Sequence, residues 1–579
     1  MKMKKLMIGN EAVARGLYEA GCRVVSSYPG TPSTEITEFS AKYDEMYCEW
    51  APNEKVAMET AFGASLRGAR ACCCMKHVGL NVAADPLFTL SYTGVKGGLV
   101  ICVADDPGMH SSQNEQDSRH YAEAAKIPML EPADSVEAKE FVKLAFSLSE
   151  QYDTPILLRM CTRIAHSQCP VELGEREDIP VPEYEKQPQK YIMAPANAIR
   201  KHPVVEARMA ELGKFAETTE LNRTELVPGS KLGIITSGTC YQYVKEVFGD
   251  TVSVLKLGLV HPLPVQKLKD FAKNVERLVV VEELDPVLEK HCKAIGLAVE
   301  GKNLFPMEGE LSQSRIAKAF GLPEKEQVHL ETTLPVRPPV MCAGCPHRGM
   351  FYVLAKNKVT VLGDIGCYTL GSAQPLNAID SVLCMGASVS GLHGFNKAGG
   401  SENGKSVCVI GDSTFIHSGM TGLVNVSYNA SNSTVIILDN SITGMTGHQN
   451  NPANGLNIKG DPAAKVDLEA FCHAIGINRV RVVDPYDLDT CEKVLKEELA
   501  QEEPSVIISR RPCMLLKYVK PQAPLAVDPE KCRSCKRCMK IGCPAISMKD
   551  GKAFIDNTQC VGCGVCRQLC AFGALGGEA

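Results

Sequence analysis

Between Gly411 and Gly447 the chain carries polar residues whose order suits a metal and an anion. An apolar run ending at Val409-Ile410 leads into Gly411-Asp412, and a second, Val435 to Leu438, leads into Asp439-Asn440. Buried strands that each deliver a polar residue at their C-terminal end are how an open parallel α/β sheet builds a site. Magnesium takes hard oxygen ligands in an octahedral array and shares them with phosphates. Asp412, the side-chain oxygen of Asn440 and the backbone carbonyl of Ile442 can supply such ligands, with a diphosphate and water completing the set. The competing reading is an ordinary strand-turn-helix crossover with an Asp helix cap.

Gly-Asp followed at this spacing by Asn resembles the thiamine diphosphate motif. Gly411, Asp412 and Asn440 are then cofactor contacts, and Ser413 stands where the usual motif has a second glycine. Thiamine chemistry also needs a carboxylic acid against N1′ of the aminopyrimidine. A carboxyl group in an apolar, water-poor site has a raised pKa and can relay that proton. Glu54, at the start of the helical pattern Asn53 to Ser65, is the candidate, and the more central Glu59 is its rival.

The strongest signal lies in the tail. Cys532-x2-Cys535-x2-Cys538-x4-Cys543-Pro544 is followed by Cys560-x2-Cys563-x2-Cys566-x3-Cys570. This is the two-cluster bacterial ferredoxin spacing, in which the fourth cysteine of each run ligates the other cluster. It assigns Cys532, Cys535, Cys538 and Cys570 to one [4Fe-4S] cluster, and Cys560, Cys563, Cys566 and Cys543 to the second. The first run is one residue longer than usual, and no proline follows Cys570. Zinc is the alternative for eight cysteines.

The elements that position these residues read as α/β repeats. Short apolar segments at Arg23-Val24-Val25, Gly98 to Val103 and Pro155 to Leu158 alternate with helical patterns, which predicts a parallel sheet. The first strand runs into Ser27-Tyr28-Pro29-Gly30-Thr31-Pro32-Ser33-Thr34, a fixed turn in which Ser33 or Thr34 can cap the next helix. Cys72-Cys73-Cys74 reads as strand, its cysteines alternating faces as small buried hydrophobes, and the loop Met75 to Gly79 after it as the lining of a substrate pocket. The segment Asp105 to Arg119 is long for a connection, as functional loops are. Residues 166 to 230 read as a linker with some helix, and a compact α/β domain with no visible partner for His261, Glu282 or Glu283 follows. Cys342-Ala343-Gly344-Cys345-Pro346-His347 lacks the second ligand pair of a zinc site and reads as a tight loop against the cofactor. Cys345, His347 and Gly366 are its candidate contacts, and the small residues Gly386 to Gly391 allow close backbone approach.

At 579 residues, size alone predicts three or four domains. The fold class expected is α/β and multi-domain, with doubly wound parallel-sheet domains that bind thiamine diphosphate and a C-terminal two-[4Fe-4S] ferredoxin-like domain. The divisions are a pyrimidine-binding domain at 1–165, a transketolase C-terminal-like α/β domain at 190–325, a diphosphate- and magnesium-binding domain at 335–520 and the cysteine-rich domain at 526–579. A net charge of −5 gives no basic footprint for nucleic acid. No long uninterrupted apolar run suggests a membrane span. Twenty-six cysteines with no disulfide framework suit a reducing cytoplasm, and an oxygen-poor habitat is compatible with them.

A thiamine site and two clusters on one chain predict decarboxylation of a 2-oxo acid, with the electrons of the resulting enamine passing to the clusters. Over nearly its whole length the chain resembles the alpha subunits of the indolepyruvate:ferredoxin oxidoreductases, among the 2-oxoacid:ferredoxin oxidoreductases. The resemblance rests on Tyr28 to Ser33, Cys342 to His347, Gly411 to Gly447 and the tail cysteines. It implies Glu54 on the aminopyrimidine, Thr31 near the substrate carboxylate, and Asp412, Asn440 and Ile442 on magnesium. It also implies arylpyruvate substrates, coenzyme A, an external ferredoxin and a smaller beta subunit. Two other readings stay open at this point: the same chemistry on branched-chain 2-oxo acids or 2-oxoglutarate, or an electron-transfer or assembly subunit with a decayed thiamine site.

Overall fold

The computed structural model describes residues 3–323, 326, 328, 331–399 and 405–578, with side chains to 576. The chain divides into two compact units, Met1–Leu330 and Glu331–Ala579.

The first unit is built on a seven-stranded sheet. Its strands run, in spatial order, Leu259–His261, Met129–Leu130, Ile156–Cys161, Leu99–Asp105, Ala71–Lys76, Val24–Ser27 and Tyr47–Trp50. All neighbouring pairs are parallel except the first. The central strands are buried along their whole length, which is why they read as continuous apolar runs rather than alternating ones. The strand Leu259–His261 comes from the later α/β segment and closes one edge of this sheet. That segment has its own sheet, Arg277–Val281, Leu232–Ser237, Ser253–Leu257 and Asn222–Glu225, of which the last is antiparallel.

Two elements depart from the linker reading. Gln168–Glu172 pairs antiparallel with the basic N-terminal segment Lys4–Ile8. Pro195–Thr218 is a single long helix that contains Pro203 and buries Val205, Leu212 and Ala216. Its charge density and internal proline hid it, since proline normally ends a helix.

Acid–base pairs join the two sheets of this unit. Arg119, 2% exposed, donates to Asp117 and to Glu282 Oε2 at 2.7 Å. Arg159 donates to Asp105 at 2.7 Å and to Glu131 at 2.6 Å. Glu282 and Glu283 therefore do have partners, Glu283 accepting from the Leu311 N–H. The segment Asp105 to Arg119 is held by this web. On the face of the first sheet, Cys72 and Cys74 meet Cys102 with Sγ separations of 3.7 Å from Cys72, the van der Waals contact of packed thiols, while Cys73 turns to the other face.

The second unit holds a five-stranded sheet, every neighbouring pair parallel, in the order Thr360–Leu362, Ser406–Gly411, Thr434–Asp439, Ser505–Arg510 and Arg479–Val483. After it come two antiparallel pairs, Leu525–Val527 with Leu575–Glu578 and Ile546–Lys549 with Lys552–Ile555, and two short 3-10 helices, Arg537–Ile541 and Val565–Leu569. Among the described residues no helix is long and apolar enough to cross a membrane.

Candidate active site

In the second unit the strands Ser406–Gly411 and Thr434–Asp439 lie side by side, with Gly411 opposite Leu438. Asp412 and Asn440 therefore leave the same edge of the sheet. Asp412 is 2% exposed, and its Oδ2 has no hydrogen-bond partner. Burial, and then the nearby Asp439 charge, push its carboxyl up to about 8. Asp439 itself is turned to Arg510, whose Nε donates to it at 2.9 Å. A buried carboxylate oxygen without a donor is costly unless a cation meets it, so this position fits a hard divalent ion.

Asn440 is buried, and its Nδ2 lies 3.4 Å from His347 Nε2. Burial holds the His347 imidazole down at about 4, so the ring is neutral and its Nε2 can accept. That contact leaves Asn440 Oδ1 directed toward the loop, where it accepts from the N–H of the buried Ile442 at 3.3 Å. The substituted position is also accommodated: Thr443 Oγ1 donates to Ser413 Oγ at 2.9 Å.

The helix after Asp412 opens into a π-helical turn at Phe415–Gly419 before continuing as Met420–Tyr428. Such turns are rare and concentrate at functional sites. Glycines let other parts approach. Gly386 has φ +86, and a Cβ there would lie 2.5 Å from Ser418 Cβ. At Gly411 a Cβ would lie 2.5 Å from the Tyr368 ring, and at Gly366 it would also strike that ring. Asp364, absent from the sequence-based candidates, accepts from the N–H groups of Gly386 at 2.9 Å and Ser388 at 3.0 Å and so fixes this helix start. Its only sequence signal was its place in Gly363-Asp364-Ile365-Gly366 after a strand.

The tail cysteines line two cavities. Cys532, Cys535, Cys538 and Cys570 surround one; Cys543, Cys560, Cys563 and Cys566 surround the other. A zinc ion with Zn–S bonds of about 2.3 Å would draw its sulfurs to within ~3.8 Å of one another. Among the described residues no three tail cysteines lie within 4.8 Å of one another. The close grouping of a single zinc ion is therefore not preformed, and four thiols around each cavity are the donor set that a polynuclear cluster would take. Backbone N–H groups of Ala553 and Ala574 donate to Cys532 Sγ at 3.4 Å and Cys570 Sγ at 3.2 Å, as they do around cluster thiolates.

Cys345 and Gly344 belong to the wall of the second cavity. A Cβ on Gly344, whose φ is +68, would strike Val561. Arg348 locks this docking by donating to the carbonyls of Ile541, Gly542, Met341 and Cys342. Cys342 to His347 is thus a loop with two faces: Cys345 toward the tail cysteines, His347 toward Asn440.

In the first unit Glu54 opens the helix Glu54–Leu66, whose N-cap Asn53 accepts from Val56 N–H at 2.9 Å. Glu54 is buried, whereas Glu59 is exposed and paired with Lys55 at 2.8 Å. A Cβ on Gly79 would lie 2.6 Å from Glu54 Oε1, so the missing side chain admits the carboxyl. Thr31 is half-buried in a turn held by Asn10, which donates to the Pro32 carbonyl at 2.7 Å. The expected cap is not made. Ser33 sits at the N-cap of Thr34–Ser40, but its Oγ donates to the Gly30 carbonyl at 2.8 Å, because the tight turn places that acceptor nearer.

Comparison with known proteins matches residues 15–225 to the family described as pyruvate flavodoxin/ferredoxin oxidoreductase, thiamine diP-bdg. Residues 364–509 match the thiamine pyrophosphate enzyme, C-terminal TPP binding domain. The chain is 41% identical to the indolepyruvate oxidoreductase subunit IorA of Archaeoglobus fulgidus, over 98% of this chain and 96% of that protein. It is 40% identical to the subunit of that name from Pyrococcus horikoshii, over 99% of this chain and 96% of that protein. A 2-oxoglutarate synthase subunit KorA from Archaeoglobus fulgidus is 23% identical over 53% of this chain and 99% of its own length.

Proposed function

Because the chain belongs to the family of the indolepyruvate oxidoreductase IorA subunits, within the 2-oxoacid:ferredoxin oxidoreductases, we propose that it decarboxylates arylpyruvates of the indolepyruvate type oxidatively. The products are the aryl-acetyl-CoA and CO2, and the two electrons released per substrate pass to an external ferredoxin. A smaller beta subunit completes the enzyme, and the free cysteines suit work in a reducing cytoplasm.

The observation that carries this reading is one unit's combination of a buried carboxyl, Asp412, whose Oδ2 has no donor, with two cavities that each gather four tail cysteines. Thiamine diphosphate, when bound, supplies the carbon nucleophile that 2-oxo acid decarboxylation requires, and [4Fe-4S] clusters accept electrons singly. Asp412, Asn440 and the Ile442 carbonyl would hold the magnesium of the diphosphate. His347 positions the Asn440 amide. Glu54, buried at a helix start, would hold and return the proton at N1′ of the aminopyrimidine. Thr31 would lie near the substrate carboxylate. Cys532, Cys535, Cys538 and Cys570 would hold one cluster, and Cys543, Cys560, Cys563 and Cys566 the other. The intact Asp412 pocket and the Thr443 bond that accommodates Ser413 favour a working site over a decayed one.

The test is anaerobic viologen reduction by the chain with its beta partner, coenzyme A and a panel of 2-oxo acids. Turnover fastest with arylpyruvates is expected. A preference for branched-chain acids or 2-oxoglutarate would move the substrate assignment, and absence of bound thiamine diphosphate would overturn the reading.

A further inference from the structure

Strands Val24–Ser27 and Ala71–Lys76 are parallel neighbours, with Ser27 opposite Cys74. The segments that follow them therefore leave the same edge of the sheet. A Cβ on Gly30 would lie 3.1 Å from Lys76 Cβ, and one on Gly79 would lie 2.6 Å from Glu54 Oε1. The turn before Thr31 thus packs on Lys76, and Gly79, three residues after Lys76, packs on the Glu54 carboxyl.

Lys76 is 7% exposed. Its ammonium has three hydrogens to donate, and one partner is present, the Ser111 carbonyl. No described carboxylate forms an ion pair with it. Asp106, the charge that acts on it, is already committed: Oδ2 accepts from Ser111 N–H at 2.9 Å and Ser112 Oγ at 2.6 Å, and Oδ1 accepts from Thr162 Oγ1 at 2.7 Å. Burying a cation without a paired anion is costly. Burial lowers the Lys76 ammonium to about 8, which leaves it charged at neutral pH. A buried cation with donors to spare, on the strand end that packs against the turn of Thr31, is the arrangement of an anion site.

We propose that Lys76 binds the carboxylate of the 2-oxo acid and so selects acids over neutral carbonyl compounds. This rests on the functional reading above and adds a residue to it. The role is recognition: the carboxylate is the group lost in the reaction, and its fixed position decides which bond is placed for cleavage.

The test uses the complex with the beta subunit and an unreactive pair of probes, the 2-hydroxy acid that corresponds to the best arylpyruvate and its neutral amide. Their affinities are measured by calorimetry for the natural protein, Lys76→Gln and Lys76→Arg. A hydrogen-bonded charge contact typically accounts for a ~10- to 100-fold effect. Lys76→Gln should weaken the acid by that factor, leave the amide within about twofold and leave thiamine diphosphate content unchanged. In turnover, KM for the 2-oxo acid should rise more than kcat falls, and Lys76→Arg should recover most of the acid affinity. If Lys76 merely anchors the Ser111 loop, acid and amide will weaken together, and that result overturns the proposal. An unchanged acid affinity, or a raised KM for coenzyme A alone, does so as well. Because binding is read without turnover, it judges Lys76 even if no 2-oxo acid reduces viologen, the outcome that would sink the functional reading instead.

Discussion

His347 Nε2 lies 3.4 Å from Asn440 Nδ2, while Cys345, two residues earlier, lines a cavity with Cys543, Cys560, Cys563 and Cys566. One short loop thus touches both the strand end suited to magnesium and the wall of one cysteine cavity. The partner of a metal-ligating side chain fixes its orientation, and losing such a partner typically costs about 10- to 100-fold in metal affinity. His347→Ala should therefore reduce magnesium–thiamine diphosphate retention by roughly that factor while the iron content stays unchanged. Equilibrium dialysis and iron analysis on one preparation check both halves.

Asp412→Ala should abolish thiamine diphosphate retention with the iron intact, since the cofactor's diphosphate would lose a charged magnesium ligand. Cofactor and iron assays on purified protein decide it. Wild-type thiamine content in this variant would remove the motif assignment.

Glu54→Gln should keep the cofactor and lower turnover by at least about a hundredfold, the usual contribution of a general acid–base group. Glu59→Gln, which alters an exposed pair with Lys55, should turn over normally. Steady-state rates at equal cofactor occupancy compare the two directly, and a reversal would move the proton relay to Glu59.

On the proposed function, the shared wall at Cys345 predicts the order of the electron path. The cavity of Cys543, Cys560, Cys563 and Cys566 should receive electrons first, and the one of Cys532, Cys535, Cys538 and Cys570 should pass them on. With Cys535→Ser, substrate should still reduce the remaining intact cluster in freeze-quenched paramagnetic resonance spectra, although ferredoxin reduction falls. With Cys563→Ser, the other cluster should stay oxidised with substrate yet be reduced by dithionite. The opposite pattern would invert the order.

Arg119→Met should destabilise the first unit by about 3–5 kcal/mol, the typical cost of leaving buried charges unpaired. Glu282 would lose its guanidinium, and Asp117 would keep only the longer pair with Arg159 at 3.8 Å. Thermal unfolding checks it, and a shift within error would show that these carboxylates find other partners.

Much of the candidate site was legible in the sequence because its information is local. Apolar runs that end in Gly411-Asp412 and Asp439-Asn440 mark strand ends, and the spacing of the tail cysteines brings four of them to each of two cavities. Asn53 next to Glu54 signals a helix start on its own. Tertiary structure decided what depends on distant partners. Lys4–Ile8 finds Gln168–Glu172, and Arg119 finds Glu282, across stretches that no window of sequence spans. The same holds for burial. Glu54 and Glu59 are chemically alike, and only packing puts one inside against Gly79 and the other in water. The sequence places Lys76 in a loop, Met75 to Gly79, that lines a substrate pocket; instead the strand runs to Lys76 and a helix starts at His77, and the lysine's place at a buried strand end, beside Gly30 and without a described carboxylate partner, exists only once two strands pair. Residue type and spacing fix which chemistry is possible, because ligand sets and periodicities are short-range. Which groups lose water and which charges stay unmatched is fixed by the packing of elements far apart in the chain.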